Sequence, residues 1–251
     1  MLDETGDHAL SLAAATGLLT QGEGSALGFV RDRLAAGAAL EQGARYEYLR
    51  LLALAGTGDD LGTLHRALGL APRDAELAGW YGHRGLVAWL LEALERSNEL
   101  RAATGPWPHP MELAAVAALV RITGAELHDE PTDGVEYDFD DAPALFASTW
   151  SGWWRQNGDR FDPQLRYRFG QPYTPRATIA ELLAPTTPAI VRSDLTLELA
   201  AALGPTPFEP TDWVARQRAV LASLQQRLEK DADKAYPAGA FLGNQLHRRS
   251  C

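Results

Sequence analysis

The side chains best suited to binding or chemistry are concentrated in residues 150–175, WSGWWRQNGDRFDPQLRYRFGQPYTP. This segment holds three of the seven Trp residues of the chain, together with several Tyr, Phe and Arg residues. Aromatic residues and Arg are enriched at the energetic centres of protein–protein interfaces, so the segment is a candidate docking surface. The predicted partner contacts within it are Arg155, Arg166, Arg168 and Tyr173.

The same residue types have a second interpretation, in which they hold an irregular insert onto a helical body. Trp and Tyr bury their rings while their polar tips find hydrogen-bond partners. Adjacent residues on a helix point about 100° apart, so we expect at least one of Trp153 and Trp154 to pack inward. On this view most of the aromatics are packing, and substitution of Trp153 unfolds the region. The Arg residues remain the contacts, so substitution of Arg166 or Arg168 weakens binding with little loss of stability.

An acidic run precedes this segment. Residues 125–141 contain eight Asp or Glu residues and no Lys or Arg. The net charge of the chain is −10, so the remainder carries −2 once these eight charges are set aside. This distribution argues against nonspecific nucleic-acid binding, which needs a basic surface. We expect a solvated loop, or one that pairs through Asp138 and Asp140 with Arg residues in the same chain or in a partner. A Ca²⁺ site is the alternative, although the EF-hand order of ligands is absent.

Patterns for catalysis or metal binding are lacking. The six His residues show no spacing such as H-x-x-x-H, and neither G-x-S-x-G nor a P-loop is present. His83, at a turn between two predicted helices, is the His best placed for a polar contact. Cys251 is the single Cys, so no intrachain disulfide can form, which fits a reducing compartment. We therefore expect no enzyme, no metal and no cofactor.

Helices must position these residues. Apolar residues three and four apart, Gly turns and polar caps predict helices along most of the chain. Any strand is expected to be brief and to lie near residues 135–139 or 166–169. The predicted helices cover residues 10–19, 25–34, 41–54, 59–68, 74–81, 86–94, 111–123, 142–154, 178–183, 189–203 and 211–234. The inward face of the helix over residues 111–123 is predicted to be Leu113, Val116, Ala117 and Val120.

A similarity between two stretches of the chain indicates repeated helical hairpins. LLTQGEGSALGFVRDRL at residues 18–34 is similar to LALAGTGDDLGTLHRAL at residues 52–68, an offset of 34 residues. Such a period is typical of stacked hairpins, in which each unit buries its apolar face against its neighbours. The predicted fold is all-α, an α-solenoid of HEAT-like hairpins with an irregular aromatic and acidic insert. The predicted segments are the repeats (1–124), the acidic loop and Trp/Arg-rich insert (125–177), C-terminal helices (178–236) and a loosely held tail (237–251).

An ordered series of short motifs resembles a family of bacterial HEAT-repeat proteins. The resemblance covers residues 113–221 and implies an α-solenoid without catalytic residues. Members of that family are often encoded near type VI secretion genes, and they have more N-terminal repeats than this chain. The motifs are LVRITG at 119–124, WWR at 153–155, RYRFGQPYTP at 166–175, LELA at 197–200 and WVARQR at 213–218.

These patterns favour a non-enzymatic, cytoplasmic protein-binding module whose partner is another protein rather than nucleic acid or membrane. Through the resemblance, the narrower expectation is an immunity protein that neutralises a type VI secretion effector, since a short acidic protein suits a basic toxin surface. The alternatives are an adaptor or chaperone for effector loading, a purely structural scaffold, or an enzyme such as a bilin lyase or DNA glycosylase. No secretory signal is visible, and no apolar stretch reaches the ~18 residues that span a bilayer.

Overall fold

The computed structural model describes residues 8–36, 40–105, 107–128, 144–206, 214–235 and 238–243. These residues are mostly helical, with eleven α-helices and one short two-stranded sheet, which confirms the all-α class. A solenoid of HEAT hairpins stays a prediction. The predicted contacts Asp138 and Asp140 lie outside the described residues, as do the possible strand at 135–139 and the predicted start of the last helix.

The helices lie close to the segments that apolar periodicity predicts. The one predicted over residues 189–203 has those bounds, whereas the one predicted over residues 86–94 continues to Thr104, because no helix breaker occurs before Gly105. They are α1 (His8–Thr20), α2 (Ser25–Ala35), α3 (Gln42–Ala55), α4 (Leu61–Ala67), α5 (Pro72–Tyr81), α6 (Val87–Thr104), α7 (Pro110–Thr123), α8 (Ala147–Asn157), α9 (Pro175–Leu183), α10 (Ala189–Leu203) and α11 (Val214–Ala235).

The two strands form a minimal hairpin. Strand β1 (Tyr167–Arg168) pairs with β2 (Gln171–Pro172), and Phe169 and Gly170 make the turn between them. Strand β1 lies within residues 166–169, which confirms the prediction of a brief strand there.

By packing, the chain divides into two compact units. The four predicted segments stay a prediction. Unit 1 combines residues 1–60 with residues 172–251. Within it, α1, α2 and α3 pack together, α10 packs against α1, α3 and α9, and α11 packs against α9. Arg50 on α3 pairs with Asp194 on α10. Burial raises the pKa of the Asp194 carboxyl, and the neighbouring guanidinium opposes that shift.

Part of the predicted tail is held firmly in unit 1. Phe241 and Leu242 are buried. The Gly239 amide donates to the Tyr173 carbonyl at 2.7 Å, and the Gly243 amide donates to the Gly56 carbonyl at 3.1 Å. Residues 238–243 are therefore part of the packed unit, which differs from the loosely held tail expected from their composition.

Unit 2 comprises residues 61–171 and is built around α7. Helix α7 packs against α5 and α6, β1 packs against α7, and α8 packs against α6. Gly79 on α5 permits a close approach to α7, because a Cβ atom at this position would lie 3.0 Å from the Ala118 Cα atom. None of the described helices combines the length and the apolarity needed to cross a membrane.

Candidate interaction surfaces

The turn of the β-hairpin in unit 2 caps the C-terminal end of α7. The last carbonyl groups of a helix lack partners within the helix and must be satisfied by other donors. Here the Phe169 amide donates to the Arg121 carbonyl at 2.6 Å, and the Gly170 amide donates to the Ile122 carbonyl at 3.1 Å. Phe169 and Gly170 both have positive φ angles, 50° and 74°. The second half of the Trp/Arg-rich segment thus closes the end of a core helix.

Two predicted contact residues, Arg166 and Arg168, lie in the interior around Trp80. Each is only 1% exposed. The Arg166 Nη2 atom donates to the Trp80 carbonyl at 2.7 Å. The guanidinium carbon of Arg168 lies 5.3 Å from the centre of the Trp80 ring, and that of Arg121 lies 3.8 Å from it. Their guanidinium groups are therefore not presented at the surface, and this burial argues against the predicted contact role.

His83, in the turn between α5 and α6, bonds to the Trp/Arg-rich segment at Pro163. This confirms the prediction that His83 makes a polar contact. Its Nδ1 atom accepts from the Gly85 amide at 2.9 Å, so its Nε2 atom carries the proton and donates to the Pro163 carbonyl at 2.8 Å. The Tyr167 amide donates to the Gly82 carbonyl at 2.7 Å beside it. Burial lowers the pKa of His83, and the Arg84 charge adds to that effect, while the bond to Pro163 opposes it.

The aromatic residues of the segment are mostly packed against one another. Trp150 is 1% exposed, and its Nε1 atom donates to the Ala144 carbonyl at 2.8 Å. Trp153 and Trp154 are half-buried, with ring centres 6.4 Å and 5.3 Å from that of Phe161. This arrangement supports the interpretation in which the rings hold an irregular segment in place.

The remaining predicted contacts have different environments. Arg155 on α8 is exposed, so its contact role stays a prediction. Tyr173 is 1% exposed and belongs to unit 1, where its hydroxyl lies 2.9 Å from the Thr178 hydroxyl. Thr178 in turn donates to the buried Glu198 carboxylate at 2.7 Å. Tyr173 is therefore also a packing residue.

Helix α7 carries at its surface residues that were predicted to face the core. Leu113 is 51% exposed, Ala117 is exposed and Val120 is half-buried, so the predicted inward face is wrong apart from Val116. The face that packs against α5 and α6 contains Met111, Ala115, Ala118, Leu119 and Ile122. The reason is that α7 is apolar on nearly all sides, so that two different stripes fit an inward face.

The outward stripe of α7 lines a groove of about 570 Å³. This volume lies in the range of small-molecule sites, about 300–1,000 Å³. The opposite wall consists of Glu126, Leu127 and His128. It is held in place by the Ala144 amide, which donates to the Leu127 carbonyl at 2.6 Å. The groove thus combines an apolar floor with one acidic rim residue, and none of its described lining residues is Lys or Arg.

The N-terminal half of α7 is fixed by a buried carboxylate. Glu112 is fully buried, and its Oε1 atom accepts from Asn98 Nδ2 at 2.6 Å and pairs with Arg101 Nε at 3.2 Å. Its Oε2 atom accepts from the His109 amide at 3.0 Å, which caps the helix start. Asn98 also accepts from the Ala147 amide at 2.8 Å and so ties the start of α8 to α6.

Among the described residues, no group of three or more His, Cys, Asp or Glu side chains could hold a metal ion. Comparison of the chain with protein-family models, curated proteins and solved structures finds no match. The resemblance to a HEAT-repeat family therefore stays a prediction from the quoted motifs. The groove beside α7 is the candidate site that geometry favours.

Proposed function

We propose that the chain is a protein-interaction module and that its partner binds in the groove beside α7. The observation that carries the proposal is the apolar lining of the groove on a helix whose opposite face is already packed, in which Leu113 and Ala117 are exposed, Val120 is half-buried and Val116 lies buried beneath them. Exposed apolar residues beside a polar rim are one type of surface that protein partners cover. A rigid helix face of this kind suits a protein partner, because many peptides bind by laying an apolar face into a groove.

The energetic centre of this interface is Leu113. Complete burial of a Leu side chain contributes about 1.5–3 kcal/mol, and roughly half of Leu113 remains to be covered. Replacing it with Glu places a charge where the partner's apolar side chains would lie, which costs several kcal/mol if the charge is desolvated. Because Leu113 is exposed in the free protein, the same substitution leaves the core of unit 2 intact.

The test is affinity purification with the wild-type chain, Leu113→Glu and Leu100→Glu as parallel baits. Leu100 on α6 is a matched control, since it is 52% exposed and does not line the groove. We expect one defined protein to be retained by the wild-type chain and by Leu100→Glu but lost from Leu113→Glu, with unchanged melting temperatures. Equal recovery on all three baits, or no retained protein, would overturn the proposal.

The narrower roles follow only from the motif resemblance. An immunity protein that neutralises a type VI secretion effector, or an adaptor for effector loading, would each use such a surface. The retained protein would separate them, because an immunity protein abolishes the toxicity of its partner whereas an adaptor leaves it active.

A further inference from the structure

We infer that His83 is a pH-sensitive switch, in which protonation of its buried ring releases the loop before β1, residues 161–166. The ring is joined to this loop by a hydrogen bond that its neutral form makes together with a second bond inside the turn between α5 and α6. Neither His83 nor the loop lines the groove beside α7, so the switch is independent of the proposed partner.

The two hydrogen bonds of the ring require its neutral form. The ring is buried, its Nδ1 atom accepts from the Gly85 amide at 2.9 Å, and its Nε2 atom donates to the Pro163 carbonyl at 2.8 Å. A neutral imidazole has one acceptor and one donor nitrogen, whereas a protonated imidazole has two donors. Protonation of His83 therefore places a proton on Nδ1 opposite the Gly85 N–H group, and the bond that caps the short 3₁₀-helix Arg84–Leu86 is lost.

The backbone of the turn is closely packed around the ring. A Cβ atom at Gly85 would lie 2.9 Å from both the His83 Nδ1 atom and the Leu61 Cδ2 atom on α4. On the α5 side, the centre of the Tyr81 ring lies 6.0 Å from that of the His83 ring. Because the Gly85 backbone has little room to shift, the protonated ring relieves the repulsion by rotating. Rotation takes its Nε2 atom away from the Pro163 carbonyl.

The loop has an exposed tip that the ring holds. Asp162, Pro163 and Gln164 are exposed. The Gln164 and Leu165 amides both donate to Asp162, and these bonds shape the tip without joining it to the helices of unit 2. The bond from His83 to Pro163 does join it. Segments with few buried contacts open before the whole unit unfolds, so loss of this bond frees the tip while the helices stay folded.

The charges around the ring set the direction of the switch. Burial lowers the pKa of His83, and the Arg84 charge adds to that effect, while the bond to Pro163 opposes it. On the facing segment, the Arg166 guanidinium donates to a backbone carbonyl of α5, and the Asp162 carboxylate accepts from an amide of its own loop. The closed loop therefore favours the neutral ring.

The size of the effect follows from proton linkage. A ring exposed in the open loop has the ordinary pKa of about 6.5 and so binds a proton more tightly than the closed state does. The closed loop is thus fully favoured above about pH 6.5 and is lost as the pH falls. The ratio of open to closed molecules rises by at most about tenfold per pH unit, which sets a ceiling of about thirtyfold at about pH 5.

The test measures amide hydrogen exchange by mass spectrometry at about pH 7.5 and about pH 5, with times scaled for the pH dependence of the intrinsic exchange rate. The proteins are the wild-type chain, His83→Asn and His65→Asn. Asn keeps an oxygen that can accept from the Gly85 amide but does not titrate. His65 is the matched control, because it is an exposed His on α4 of the same unit.

We expect residues 161–166 of the wild-type chain and of His65→Asn to exchange roughly three- to thirtyfold faster at about pH 5 after scaling. In His83→Asn the same residues should exchange fast at both pH values, because the bond to Pro163 is absent throughout. Helices α6 and α7 should change much less. A loop that exchanges alike at both pH values in the wild-type chain, an acceleration that persists in His83→Asn, or an equal acceleration of α6 and α7 would overturn the switch.

Nitrogen NMR of the wild-type chain is a second measurement that does not depend on the folding of His83→Asn. At about pH 7.5 the ring of His83 should carry its proton on Nε2, and it should titrate with a midpoint below about 6.5. The backbone signals of residues 161–166 should change with the same midpoint. A midpoint at or above about 6.5, or loop signals that do not follow the ring, would contradict the coupling of the loop to His83.

Discussion

Substitution of Gly170 by Ala should destabilise unit 2, because this residue closes the hairpin turn over the end of α7. Its φ angle is 74°, and a Cβ atom there would collide with the Thr123 carbonyl oxygen. A left-handed conformation costs a non-Gly residue about 1–2 kcal/mol. Relief of the collision moves the turn away from α7 and breaks the bonds to the Arg121 and Ile122 carbonyls, each worth about 0.5–1.5 kcal/mol.

These contributions lower the free energy of unfolding by about 2–5 kcal/mol, a large share of the 5–15 kcal/mol typical of a folded protein. Trp fluorescence during urea unfolding is a suitable assay, because six of the seven Trp residues lie in residues 61–171. The fluorescence transition therefore reports mainly on unit 2. The melting temperature should fall by about 5–15 °C.

Gly152→Ala is the matched control. Gly152 lies within α8, and a Cβ atom there would meet no heavy atom within 4 Å. The same substitution should therefore stabilise this helix by up to about 1 kcal/mol. If Gly170→Ala unfolds at the same urea concentration as the wild-type chain, or gains stability as Gly152→Ala does, the capping of α7 by the hairpin turn is refuted.

Three further results are expected from residues of unit 2. Glu112→Ala leaves the Arg101 guanidinium without its buried carboxylate and should lower the free energy of unfolding by about 3–5 kcal/mol in urea titrations. Burial lowers the pKa of His83, so the unfolded chain binds the proton more tightly than the folded chain does. The stability of the protein should therefore fall as the pH drops below about 6.5, the ordinary pKa of His. Melting temperatures measured between pH 8 and pH 5 should decline less in His83→Asn than in the wild-type chain. Arg166→Met should lower the melting temperature through lost packing and a lost hydrogen bond, whereas the exposed Arg155→Met should change stability by less than about 0.5 kcal/mol.

The helices were predictable because their apolar residues repeat with the period of a helix and end at Gly or Pro. Helix α10 illustrates this, since its predicted and observed bounds coincide. The direction that a helix faces was less predictable where the pattern is ambiguous. In α7 only Glu112, Arg121 and Thr123 interrupt an otherwise apolar stretch after Pro110, so the sequence does not distinguish the packed stripe from the open one.

The burial of Arg166 and Arg168 could not be read from residue type, because Arg is rarely fully buried. Their spacing held a partial signal, since residues two apart on a strand point to the same face and a brief strand was expected there. What stabilises them, however, is Trp80, which lies 86 positions from Arg166 along the chain. A contact of that separation depends on tertiary packing, which local patterns do not specify.

The Trp/Arg-rich segment and the groove are connected through α7. The hairpin turn fixes the C-terminal end of the helix, and Glu112 with its three partners fixes the N-terminal half. The part of α7 that carries Leu113 therefore lies between two anchored ends. A rigid surface binds with a smaller entropy cost than one that must be ordered on binding. In the proposed interaction, the dense aromatic and guanidinium side chains would act indirectly, by fixing the helix that presents Leu113, and substitutions at Gly170 should then weaken partner binding although Gly170 does not line the groove.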